Sequence, residues 1–210
     1  MAKKMQLFWG LIIIVLQLYL NPCDSAKVLG IFIIPSYSHQ VVFQPIYREL
    51  SLRGHEVIAV TSNPLNDSTL TNLTEIDVSY LYEHIKDIAK SFPSDDFVQA
   101  WSYGVLFSQE MMKYILEDEN FKKVYQDPSQ KFDLVIMEGY SHIMYALGYK
   151  FNAPVIAAFS LEASLEVSTV IGSPIHPALY GQPFLTFERS MSIWRKIYNT
   201  YCFLWTKWFD

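Results

Sequence analysis

Short apolar runs alternate along this chain with longer segments of helical spacing, and polar or glycine residues separate them. The first run, Val28 to Ile34, is nearly unbroken in apolar residues, the pattern of a parallel strand covered on both faces. Pro35 to Ser38 interrupt it and His39 follows, which puts the histidine at the carboxyl end of the strand, where open α/β sheets bind ligands. A helix is expected over Gln44 to Arg53, with Pro45 in its first turn and Ile46, Leu50 and Leu52 facing inward. Gly54 stops it, and His55 to Val60 resume as a second strand. Glu75 to Tyr82 alternate weakly, predicting a third strand with Ile76, Val78 and Tyr80 on one face. Ser94 and Asp95 mark the start of a long helix reaching Tyr125, which Asp127-Pro128-Ser129 closes. Lys131 to Met137 form a fourth buried run ending at Glu138 and Gly139; Ser141 opens another helix, and Val155 to Phe159 give a fifth strand. The alternation predicts an α/β fold, a doubly wound parallel sheet in which the ends of strands one and four share the ligand face.

Beyond the fifth strand the period fails. Ser160 to Phe187 contain Gly172, Pro174, Pro177, Gly181 and Pro183 and read as a long irregular excursion, of the kind that is usually functional or mobile. Residues 188–210 return to helical spacing with an aromatic stripe of Met191, Trp194, Tyr198, Tyr201, Trp205 and Trp208. That stripe suits packing on a further part of the protein, and contact with a membrane interface is the sharper alternative.

At the other end, Lys3 and Lys4 precede an apolar core from Leu7 to Leu20, and Cys23, Asp24 and Ser25 offer a cleavage site. Residues 1–25 therefore read as a secretory signal rather than an anchor, since the apolar core falls short of the ~20 residues that span a bilayer. Residues 26–187 form the predicted domain. In a lumenal compartment the sequons at Asn66 and Asn72 are acceptors for glycosylation. Removal of Cys23 leaves Cys202 as the one thiol, so no disulfide framework or cysteine metal site is expected. The formal net charge of -5 and the absence of a basic stripe exclude nucleic acid as a partner.

His39 and Glu138 are the pair with chemical promise, because both close apolar strands on one predicted face. A neutral imidazole can take a proton from a hydroxyl, and a carboxylate on its other nitrogen fixes the tautomer. The plainer alternative is a solvated histidine and an unrelated edge carboxylate. His55, His84, His142 and His176 lack metal-ligand spacing, and no phosphate-binding glycine loop or Gly-x-Ser-x-Gly element occurs. Tyr37, Phe43, Trp101, Tyr103 and Phe107 would suit an apolar pocket, though core packing explains such residues equally well.

Taken together, Val28 to Ile34, Ser38-His39, the run Arg48-Glu-Leu-Ser-Leu-Arg-Gly-His-Glu-Val57 and Phe132 to Glu138 resemble the amino-terminal half of the animal membrane-bound UDP-glycosyltransferases. The resemblance implies the first of two Rossmann-like halves of a GT-B fold, binding a small lipophilic acceptor, while the second half binds a UDP-sugar. It implies that His39 deprotonates the acceptor hydroxyl, which displaces UDP with inversion, and that Glu138 stands where many members have a supporting aspartate. Tyr37, Ser38, Phe43 and Trp101 are the expected acceptor-binding residues. UDP-sugar is then a co-substrate with no metal or other cofactor, and the setting is the membrane-associated lumenal side of the endoplasmic reticulum. The donor half would lie beyond Asp210, so this chain alone is expected to transfer no sugar. Homo- or hetero-oligomers stay open. So does a second class of function, a truncated acceptor-binding or modulator protein that pairs with full-length transferases, with an unrelated flavodoxin-like binder more distant.

Overall fold

The computed structural model describes residues 25–90, 96–140, 142–163, 165–170, 172–173, 176–181 and 191–209. Residues 1–24 of the expected signal segment 1–25, the expected helix-start residues Ser94 and Asp95, Ser141 and the end of the excursion over 182–187 lie outside them. Five strands, β1 (Lys27–Phe32), β2 (Glu56–Thr61), β3 (Leu73–Asp77), β4 (Leu134–Glu138) and β5 (Val155–Ala158), form one sheet in the order β3-β2-β1-β4-β5. Every pairing is parallel. The chain moves outward from β1 in one direction and then returns to pair β4 with β1, so the switch point of this α/β sheet lies between those two strands.

Period-two alternation divides the sheet's contacts into two cores. Leu29 and Ile31 of β1 join Val135 and Met137 of β4 on one face, beneath Met111, Met112, Ile115 and Leu147. Val28 and Phe32 face the other way, with Val57, Ala59 and Ile136, against Phe43 and Tyr47. Helix α1 (Tyr37–Leu52) supplies the latter pair, and the rings of both stack on Phe32, at 4.8 and 5.7 Å between centroids.

Helix α1 corrects the sequence reading in start and in face. It begins at Tyr37, so His39 lies in its first turn and Pro45 in its interior. The buried stripe is Gln40, Phe43, Tyr47 and Ser51, whereas Ile46 and Leu52 are exposed. Stacking on Phe32 rotates the helix toward its aromatics and turns Ile46 and Leu52 out, while Leu50 stays packed against the same core as expected. Past the helix, Gly54 takes φ +90° and brings the chain into β2.

The third strand is shorter than its alternation suggests. The Asp77 side chain accepts the Ser79 N–H at 2.8 Å, an Asx turn that ends β3 and leads into α2 (Leu81–Lys90). The long helix is two helices, α3 (Phe97–Glu117) and α4 (Glu119–Tyr125). Asp118 separates them, its carboxylate accepting the N–H groups of Asn120 and Phe121. A single 3-10 turn, His142–Met144, precedes α5 (Tyr145–Phe151). The excursion contains α6 (Leu165–Val170), and the aromatic segment forms α7 (Ile193–Phe209). Among the described residues no helix is long and apolar enough to cross a membrane.

Candidate active site at the switch point

Strand parity delivers the acidic residue. Leu134, Ile136 and Glu138 alternate onto one face of β4, and Ile136 belongs to the core beneath α1, so Glu138 emerges beside the start of that helix. His39 projects from the first turn of α1 toward the same point. Its Nδ1 lies 2.6 Å from Glu138 Oε1. Glu138 is buried to 1 % exposure, while the imidazole keeps 18 %. The carboxylate is therefore withheld from solvent and the imidazole is reachable.

A third group arrives from β5. Glu138 pairs in register with Ala158, which packs against the α1 core. Two residues on, Ser160 places its Oγ 2.7 Å from His39 Nδ1 and 3.4 Å from Glu138 Oε1. A neutral imidazole nitrogen carries either one hydrogen or one lone pair. With an ionised carboxylate at 2.6 Å the hydrogen belongs on Nδ1, shared between Glu138 and the serine oxygen, which leaves the Nε2 lone pair free. Hydrogen bonds to a charged partner contribute about 1.5–3 kcal/mol, enough to hold this tautomer. Among the described residues Glu138 Oε2 is buried without a hydrogen-bond partner.

The floor of the site is tight. A Cβ on Gly139 would sit 2.2 Å from the tip of the Phe159 ring, so any larger residue here would force that ring to move. Tyr140 then turns back, its ring 6.3 Å from the imidazole and edge-on to Phe159. Its hydroxyl donates to the Glu162 carbonyl at 3.2 Å. Burial, reinforced by the Glu138 charge, raises the Tyr140 pKa, so the phenol stays protonated at neutral pH.

The structure thus brings His39 and Glu138 together, with Tyr37 and Ser38 beside His39 in sequence and exposed at the start of α1. Phe43 is 1 % exposed in the α1 core, and its ring is closed to ligands. Trp101 is half-buried on α3 and stacks on Phe97 at 6.2 Å. Ser160 and Tyr140 are the residues that the sequence reading missed. The parity of Ala158 and Ser160, counted along β5 from its pairing with β4, is the signal that would have found the serine. Asn66 and Asn72 are both exposed, near the β3 edge of the sheet. No three metal-ligating side chains converge among the described residues.

Comparison with known proteins supplies a chemical context for this arrangement. No family model matches the chain. UDP-glycosyltransferase UGT4 of Dactylopius coccus is 25% identical over 185 residues, covering 87% of this chain and 36% of that protein. The ecdysteroid UDP-glucosyltransferase of Lacanobia oleracea granulosis virus is 26% identical over 192 residues, covering 86% and 42%. The chain is similar to UDP-glycosyltransferases. It spans between about a third and two fifths of the length of these UDP-glycosyltransferases, 36% and 42%. A crystal structure of TcCGT1 in complex with UDP aligns with a TM-score of 0.40 at 12% identity, covering 74% of this chain and 34% of that one.

Proposed function

We propose that this chain is the acceptor-binding, amino-terminal part of a UDP-sugar-dependent glycosyltransferase, in which His39 is the base that deprotonates the acceptor hydroxyl. The observation that carries the proposal is the imidazole itself. Its Nδ1 is held by a buried carboxylate and a serine, and its Nε2 takes no hydrogen bond among the described residues. The similarity to UDP-glycosyltransferases supplies the substrate class.

In the proposed reaction, Nε2 takes the proton of the acceptor O–H as that oxygen bonds to the anomeric carbon. The bond from that carbon to the UDP oxygen breaks, UDP leaves with the electron pair, and the configuration inverts. Glu138 stabilises the imidazolium that forms, and positioned general-base catalysis of this kind contributes ~10²–10⁴-fold. UDP-sugar is a co-substrate, bound mainly by a second half that the longer relatives have room for. The acceptor is a small lipophilic alcohol or phenol near Tyr37, Ser38 and Trp101. The setting is lumenal and membrane-associated, with Asn66 and Asn72 glycosylated.

A second reading rests on α7, where Trp194 and Trp208 are 76% and 86% exposed. Apolar surface of that kind suits pairing with another transferase chain or with further residues of the same protein, and a segment of this length would then act as a modulator.

The test uses the complete transferase and its His39→Ala variant, with a UDP-sugar and a phenolic acceptor. Transfer should fall by ~10²–10⁴ while UDP still binds. Retained transfer would remove His39 from the chemistry. The 210-residue chain alone should show no turnover, and measurable transfer by it would contradict the two-part reading.

A further inference from the structure

We infer that Gln40 is the positioning residue that sets His39 against Glu138, through a buried clamp on the ends of β1 and β2; the inference rests on His39 being the base.

Gln40 is 0% exposed, unusual for a primary amide, whose burial is strongly unfavourable unless its hydrogen bonds are made. Here they are made. Nε2 donates to the carbonyls of Phe32 and Ile34 at 2.9 and 2.8 Å, and Oε1 accepts the Thr61 hydroxyl at 2.8 Å. Thr61 is itself 0% exposed, and its Oγ1 also accepts the Asn63 N–H at 3.2 Å.

The location gives the clamp its purpose. The β1 ladder ends where Phe32 meets Thr61, and past that point the chain turns through Pro35 into α1. Ser36, the N-cap of α1, makes no side-chain capping bond, so the start of the helix is not fixed in the usual way. The Gln40 amide anchors the helix start by another route. It ties the first turn to two carbonyls of the preceding segment and, through Thr61, to β2.

His39 and Gln40 are successive residues and point about 100° apart around the helix. Gln40 faces β1 and β2, and His39 faces β4. Rotation of the first turn is consequently held on one side by the amide while the imidazole meets Glu138 on the other. Catalytic groups need placement within roughly 0.5 Å, and a 1 Å error can cost ~100-fold in rate. The contacts at 2.6 and 2.7 Å on Nδ1 leave little slack.

The experiment compares Gln40→Met, which keeps the length and removes the amide, with Thr61→Val and Thr61→Ser in the complete transferase. For Gln40→Met, kcat should fall ~10–100-fold while KM for acceptor and for UDP-sugar stay within about 2-fold. Thr61→Val should move kcat the same way by less, and Thr61→Ser, which keeps the hydroxyl, should restore it. A residue that served only stability would lower the melting temperature and leave kcat per folded molecule unchanged, and that result overturns the inference. If Gln40→Met does not fold, the Thr61 pair decides: equal kcat for valine and serine overturns it. His39→Ala measured alongside separates the two claims. An active His39→Ala removes the base and this inference with it, whereas an inactive His39→Ala beside an unimpaired Gln40→Met removes only the clamp.

Discussion

The start of α1 and the outer face of α7 reverse the usual rule for what lies inside. At the start of α1, His39, Gln40, Thr61, Glu138 and Ser160 are polar and buried or half-buried, and each is held by another of the group. On α7 the polar Asn199 and Thr206 are buried at 0% exposure, while Trp194 and Trp208 face outward. Asn199 donates to the carbonyls of Pro177 and Tyr180, which fastens α7 to the excursion. The difference is one of commitment. The first region spends its polar groups on fixing one geometry, as a reaction site must; the second leaves its apolar groups uncovered, as a contact surface does.

Four substitutions sharpen that contrast. The largest effect belongs to a residue in neither region: Phe43→Ala should cost about 3–5 kcal/mol of stability, read by denaturant melting, because the ring stacks on Phe32 in the core. A mild effect there, with lost acceptor affinity instead, would return Phe43 to the pocket. Next, Glu138→Gln keeps the shape and removes the charge; transfer by the complete enzyme should fall about 10²-fold, near the low end for acid–base assistance, with KM little changed. An unimpaired variant would make the 2.6 Å contact a structural one. The smallest effects divide α7. Asn199→Ala should destabilise by about 1–3 kcal/mol by stranding its partners, whereas Trp194→Ser should stay within about 0.5 kcal/mol and reduce binding of a hydrophobic dye. Equal costs from both would show that the tryptophan is covered in solution.

Much of this was legible in advance, for particular reasons. β1 and β4 are parallel strands buried on both faces, so their apolar runs mark them and their ends mark the switch point. His39 and Glu138 could be paired from that alone. The rotation of α1 was not legible, because Ile46 and Leu52 satisfy a helical period as well as Phe43 and Tyr47 do, and only tertiary stacking chooses between them. Pro45 misled the reading of the helix start, since proline favours a first turn but here sits in the interior. Ser160 follows β5 where the sequence period fails, and only the pairing of β5 with β4, which the sequence alone does not show, carries the parity out to it. On α7 the spacing predicted a helix, which Ile193–Phe209 form, and could not say which way its aromatics point: Trp194 and Trp208 face outward, whereas Trp205 meets Phe97 edge-on.

The most direct test of the account is a double-mutant cycle on the complete transferase, with His39→Ala, Glu138→Gln and both together, scored on kcat/KM. If the carboxylate acts through the imidazole, the double variant loses no more than His39→Ala alone. Losses that add in the double variant would mean that Glu138 and His39 act separately, and the base-and-carboxylate pair at the switch point would be wrong.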